Sequence, residues 1–219
     1  MEKILFLVAH PDDVAFGMGG TALLLKEKFE LHVVCATRGE KAWKEHTLEE
    51  TAGKRKSEEK DACKMLGAEL SFLDEIDLEL LPSQNVIDKV ASILKQIDFR
   101  AVFTLWPIDV HPDHSAIYEI CRKAIRAAWK KTELYFCEEG FGIQTTAFHP
   151  DVYVDISGVI NEKIKMLRLH ECQNQDDRMV KLILKQNEFR GLEVSCAYAE
   201  AFKMPVPITN RTKSVLMEI

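Results

Sequence analysis

No apolar run in the 219-residue chain exceeds the length of a β-strand, so it offers no candidate membrane span. Its first residues lead into a strand instead of the basic segment, apolar stretch and cleavage site of a secretory signal. Positive charge is in deficit as well: 29 Lys and Arg face 35 Asp and Glu, and the net charge of −6 argues against nucleic acid as a partner. The six cysteines, Cys35, Cys63, Cys121, Cys137, Cys172 and Cys196, form no C-x-x-C pair. Neither a zinc knuckle nor a compact disulfide framework is indicated, and reduced thiols in a cytoplasmic protein are expected. Low-complexity tracts, internal repeats and a composition break that would mark a second domain are also missing. Residues 1–219 are therefore expected to fold as one domain.

What is present is an alternation of strand-length apolar runs with longer segments of helical period. That pattern belongs to a mainly parallel sheet covered by helices on both faces. Residues 4–9 read as a buried first strand, with further strands at 31–36, 70–73 and 101–105. Helices are predicted over 21–28, 48–66, 86–97 and 115–128, with Gly67 stopping the second. Beyond about residue 137 the texture changes to a loop-like 138–150, a short strand at 152–155, and helices over 159–170 and 179–189. The expectation is an α/β, Rossmann-like three-layer fold with a carboxyl-terminal strand and helix extension.

Two segments carry the chemistry: Ala9-His10-Pro11-Asp12-Asp13 and His111-Pro112-Asp113-His114. Each follows a strand and precedes a helix, the position at which open α/β sheets place their sites. A hydrolytic zinc centre takes three ligands from histidine and carboxylate and keeps one position for water, a set that His10, Asp13 and His114 can supply. Pro11 limits the conformations that must be frozen to bring positions i and i+3 together. Asp12 then stays free as a general base beside the metal-bound water. His111 can donate a proton or a hydrogen bond across the metal, and Asp113 can orient an imidazole and set its tautomer. A lone His-Pro-Asp is ordinarily a turn whose aspartate caps the next helix, and the third copy, His149-Pro150-Asp151, is read that way.

A rival reading makes Gly17-Met18-Gly19-Gly20 a phosphate loop of a nucleotide-binding oxidoreductase. The seven residues from His10 to Phe16 stand between strand and glycines, and the second strand ends at Thr37-Arg38 without an acidic ribose reader. A Walker G-K-S/T, a G-x-S-x-G elbow and an H-E-x-x-H helix are absent. The glycines are read as permitting close backbone packing around the metal loop.

The segment 9–21, together with Thr37-Arg38-Gly39-Glu40, Arg55-Lys56-Ser57-Glu58, Leu66-Gly67, His111-Pro112-Asp113-His114, 152–157, Lys163, His170, Arg190-Gly191 and 198–202, resembles the LmbE-like, or PIG-L, family of zinc-dependent N-acetylglucosaminyl deacetylases. The resemblance covers roughly residues 3–203. It implies zinc, or another divalent metal, on His10, Asp13 and His114. Asp12 would be the base, His111 an electrostatic or acid partner tuned by Asp113, and Arg55 a substrate contact. For Arg55, an ion pair with Glu58 or Glu59 on its own helix is an equally good explanation. The implied reaction is hydrolysis of an N-acetylated amino sugar to acetate and free amine, by a chain that can form a homo-oligomer. Hydrolysis of another N-acyl amide, or non-catalytic nucleotide or sugar binding on the same fold, are the alternatives. The chain departs from the family pattern at Val14, where many members carry glutamate, and at Ser195-Cys196-Ala197, where glycine is frequent. The loops 40–48, 107–110 and 138–149 are expected to rim the cleft, with Trp43 and Trp106 available to stack on a sugar or to pack inside.

Overall fold

Strand β1 (Lys3–Val8) is apolar along its whole length because it lies between two other strands and under helices; from Ile4 to Ala9 no side chain is exposed. The computed structural model describes residues 1–43, 45–140, 144–205 and 214–219. Its seven-stranded sheet has the order β3-β2-β1-β4-β5-β7-β6, formed by β2 (Glu30–Thr37), β3 (Glu69–Glu75), β4 (Phe99–Leu105), β5 (Glu133–Cys137), β6 (Val152–Asp155) and β7 (Ala199–Lys203). Strands β1 to β5 run parallel, while β7 is antiparallel to both β5 and β6. Helices α3 (Gln84–Gln96) and α4 (Pro112–Ala128) pack together; α1 (Asp13–Leu25), α2 (Leu48–Leu66), α5 (Ile160–Leu169) and α6 (Arg178–Val194) form a second group. Inside, Phe103 stacks on Phe6 at 5.2 Å and on Tyr135 at 4.7 Å, joining three strands through one aromatic column.

The strand order sets the position of the site. From β1 the chain moves outward to β2 and β3, then returns to place β4 on the other side of β1, so the order reverses there and a crevice opens beyond the carboxyl ends of β1 and β4. The two His-Pro-Asp turns leave those two ends. Helix α2 begins with a Thr47–Glu50 capping box and stops at Gly67, whose φ of 62° suits glycine.

Three expectations are corrected. Helix α1 starts at Asp13, eight residues before 21, because the metal turn itself nucleates it; a kink at Met18 (φ −148°) then separates the first turns from the rest. Strand β7 was not read as a strand from sequence, being short and rich in alanine. Asp151 caps no helix: it precedes β6, pairs with Lys203 at 2.6 Å and accepts the Met204 N–H, so the third His-Pro-Asp ties β6 to the end of β7. Among the described residues no helix is long and apolar enough to cross a membrane.

Candidate metal centre

The turn after β1 is closed by the side chain it delivers. Asp13 Oδ2 accepts the N–H groups of Ala9 and His10, both at 2.9 Å, which leaves Oδ1 facing outward. That oxygen lies 3.6 Å from His10 Nδ1 and 3.6 Å from His114 Nε2, the latter carried in by the first turn of α4. Ligands about 2.0–2.1 Å from a tetrahedral ion stand about 3.4 Å apart, so the donor set fits zinc with little adjustment. Donor atoms of His10, His111 and His114 also come within 4.8 Å of one another. So do those of His10, Asp77 and Asp113; the His10–Asp13–His114 set has one carboxylate oxygen 3.6 Å from each of two imidazole nitrogens.

Each outer imidazole has a second carboxylate behind it. His10 Nε2 is 3.2 Å from Asp113 Oδ2 and 3.3 Å from Asp77 Oδ1; His114 Nδ1 is 3.2 Å from Asp109 Oδ1, though not aligned for a hydrogen bond. Carboxylates at the far nitrogens leave the near nitrogens to act as ligands. Burial would lower the His10 pKa, but Asp13, with Asp113 and Asp77, outweighs it and raises it well above the ordinary value. His114 is raised to about 9 by Asp13 and Asp109 against the same burial. Burial raises Asp13, and the two histidines more than reverse it, holding its carboxyl well below the usual range. The cluster is thus built to hold positive charge, which protons or a divalent cation can supply, and metal binding would release the protons.

The Asp113 carboxylate meets the imidazole of His10, not that of His111. It also accepts the Leu78 and Leu80 N–H groups, while only the Asp113 backbone N–H reaches His111, at Nδ1 and 3.3 Å. His111 is therefore the N-cap of α4. With Nδ1 accepting, the neutral ring carries its proton on Nε2, and burial beside His10 and His114 lowers its pKa. Asp113→Asn is expected to weaken zinc binding about 10–100-fold while the fold persists, measured by competition with a chromophoric chelator; equal affinity would remove Asp113 from the centre.

Asp12 adopts φ 123°, a strained conformation for a non-glycine residue costing roughly 1–3 kcal/mol. Two residues of α2 hold it there. Glu59 Oε2 accepts the Asp12 N–H at 3.0 Å, and Arg55 donates to Pro11 O at 2.5 Å and pairs with Asp12 Oδ2 at 2.8 Å. Burial raises the Asp12 pKa to about 6, with Arg55 opposing. Glu59 is raised to about 8 by burial and by the charges of Asp12 and Asp13. Arg55 lines the cavity, yet it is only 4% exposed and its guanidinium is already engaged on Asp12, Pro11 and Gly39; neither Glu58 nor Glu59 pairs with it.

The centre opens into a cavity of about 480 Å³ whose walls include Lys41, Leu78, Glu139, Gln144 and one face of α6. Gly17 admits this arrangement: a Cβ there would collide with the Glu139 carboxylate and lie 2.8 Å from Cys137 Sγ. Trp43 packs on His46 at 4.3 Å, and Trp106 donates to Thr146 O and packs on Phe148; neither lines the cavity. Residues 44 and 141–143 of the expected rim loops lie outside the described residues. Asp77, Glu59 and the α6 face carry no local signal in the sequence, whereas Glu139 and Gln144 fall in the loop 138–149 expected at the rim. Asp109 had a signal, a carboxylate two positions before His111.

The model of the family described as PIG-L: GlcNAc-PI de-N-acetylase matches residues 5–125, more than half of the chain and both turns. The chain belongs to the PIG-L family. Among curated relatives, the probable N-acetyl-α-D-glucosaminyl L-malate deacetylase 2 of Bacillus cereus is 28% identical over 196 residues, covering 80% of this chain and 86% of the relative. The diacetylchitobiose deacetylase of Thermococcus kodakarensis is 28% identical over 192 residues, covering 81% and 72%. Two solved structures share the fold. The N,N'-diacetylchitobiose deacetylase of Pyrococcus horikoshii gives a TM-score of 0.83 at 23% identity, covering 96% of this chain and 89% of that one. GalB of Pseudomonas putida, a 4-carboxy-2-hydroxymuconate hydratase, gives 0.83 at 21%, covering 98% and 100%. One fold therefore carries more than one reaction, and the reaction has to be argued from the site. Val14 is 2% exposed in the core, and the carboxylate on the Asp12 N–H is that of Glu59 of α2.

Proposed function

We propose that the chain, acting as one domain over residues 1–219, hydrolyses the N-acetyl group of an N-acetylglucosamine-containing small molecule or glycoconjugate to acetate and a free amine. Zinc would be held by His10, Asp13 and His114. The carrying observation is that His10 Nδ1 and His114 Nε2 each lie 3.6 Å from Asp13 Oδ1, next to a buried Asp12 paired with Arg55, at the wall of a 480 Å³ cavity. The two curated relatives support the sugar, since both names specify an N-acetylated glucosamine and differ in what is attached to it. Free thiols at all six cysteines, five of them buried, support a reducing, cytoplasmic setting.

When bound, zinc polarises the amide carbonyl and lowers the pKa of its water toward neutrality. Asp12 accepts the proton of the attacking water, held toward it by the backbone that Glu59 and Arg55 fix. His111, with its proton on Nε2, donates a hydrogen bond where negative charge grows on the carbonyl oxygen. The proton taken from water goes to the leaving nitrogen, so water and amide become acetate and amine. Metal removal tests this reading. Chelator-stripped protein is expected to release no acetate from N-acetylglucosaminides and to recover with one equivalent of zinc, followed by acetate assay. Acetate release that survives stripping, or none from zinc-loaded protein, overturns it.

A further inference from the structure

Three donors converge on one oxygen behind the metal centre. Asp109 Oδ1 accepts the His111 N–H at 2.8 Å and a Gln144 Nε2–H at 2.7 Å, and His114 Nδ1 stands 3.2 Å away without a hydrogen-bond partner among the described residues. A carboxylate oxygen offers about two lone-pair sites, so a third donor stays out while the other two are seated. The His111 N–H is held by the turn that opens α4, which leaves the side chains of Gln144 and His114 to contend for the remaining site.

Those two side chains serve different parts of one pocket. His114 presents Nε2 to Asp13, whereas Gln144 lines the cavity wall. The chain under Gln144 does not depend on its carboxamide: the Val110 N–H donates to Gln144 O and the Thr146 N–H to Ile108 O, both at 3.0 Å, and Thr145 Oγ1 donates to Asp109 Oδ2 at 2.8 Å. Gly140 lies against the Gln144 stem, where a Cβ would come within 2.9 Å of Cγ. The carboxamide can therefore change partner while the segment stays anchored.

We propose that Asp109 is a positioning residue that couples metal binding to the cavity wall: once His114 Nε2 takes an ion, Nδ1–H takes Asp109 Oδ1, and Gln144 turns its N–H groups to an oxygen of the bound substrate. The inference rests on the reading of His114 as a metal ligand. An imidazole bound through one nitrogen carries its proton on the other, and donating that proton to a carboxylate makes the ring a stronger ligand. Gln144 contends for the same oxygen and so holds zinc affinity down. By linkage, whatever draws Gln144 away raises it.

Zinc affinity, read by competition with a chromophoric chelator, tests the coupling without turnover. Gln144→Met keeps the length of the side chain and removes the donor; it is expected to bind zinc about three- to tenfold more tightly than the wild type, the worth of one hydrogen bond. Asp109→Ala is expected to bind zinc about 10–100-fold more weakly, and adding Gln144→Met to it to give no further gain. In the wild type, the side-chain amide protons of Gln144, assigned by their loss in Gln144→Met, are expected to move upfield on zinc loading as the carboxamide leaves its anionic acceptor. Gln144→Met affinity at or below the wild type, the same gain in the Asp109→Ala background, or amide protons that stay in place overturn the coupling and leave zinc on His114 intact. A wild type that binds no zinc overturns the metal reading itself, and the coupling with it.

Discussion

Asp12→Asn is expected to bind zinc as tightly as the wild type and to lose about 10²–10⁴-fold in kcat, the range that a positioned general base contributes. The two effects separate because the ligand nitrogens and oxygen belong to His10, Asp13 and His114, whereas Asp12 faces Arg55 and donates only its backbone N–H to Glu59. Asparagine keeps the shape, retains a hydrogen bond to Arg55 through its carbonyl oxygen, and cannot take a proton from water. His10→Ala should give the opposite pattern, with zinc affinity lost first. Steady-state acetate release combined with zinc stoichiometry distinguishes them. An Asp12→Asn enzyme with wild-type kcat would remove Asp12 from the reaction, and one that arrives without zinc would make Asp12 part of the metal cage.

Legibility in the sequence followed the distance over which each feature is encoded. The two turns were readable because ligand, base and proline are contiguous, and their common edge followed from the βα rhythm that puts both strand ends on one side of a parallel sheet. Glu59 was not readable as the residue that holds Asp12. It sits 47 positions away on α2, one among several glutamates, and only the fold brings it to that N–H. Asp77 lies in the loop after β3 with no local pattern to mark it. For Arg55 the helix-surface alternative failed because the side chain turns inward, where three protein oxygens receive it. The early start of α1 was hidden by Pro11 and the paired aspartates, which read as loop, although Asp13 is an acidic residue suited to a helix's first turn.

Glu200→Ala carries the largest expected loss of stability. Glu200 is 1% exposed and Lys163 is fully buried; they pair at 2.6 Å, and the remaining contacts of the ammonium are Phe16 O at 3.2 Å and Asn187 Oδ1 at 2.9 Å. The same carboxylate accepts the N–H groups of Gly20 at 2.8 Å and Thr21 at 2.7 Å, two donors released by the kink at Met18. Truncation leaves a buried cation without its counter-charge and two backbone donors without acceptors. Removing one partner of a buried pair costs about 3–5 kcal/mol, and for a chain of this size each kcal/mol lowers Tm by about 2–4 °C, so a fall of roughly 6–20 °C is expected by calorimetry. A Lys163→Met/Glu200→Gln double variant should recover much of that loss. It no longer buries a charge, and the glutamine oxygen can still accept from Gly20 or Thr21. Because the turn at Asp13 is closed by its own carboxylate, zinc affinity of Glu200→Ala well below its Tm should match the wild type. A Tm within 2 °C of wild type would show that Lys163 is not left as an uncompensated buried charge. A parallel loss of zinc would show instead that both halves of α1 move as one unit, and that the kink transmits strain to the metal turn.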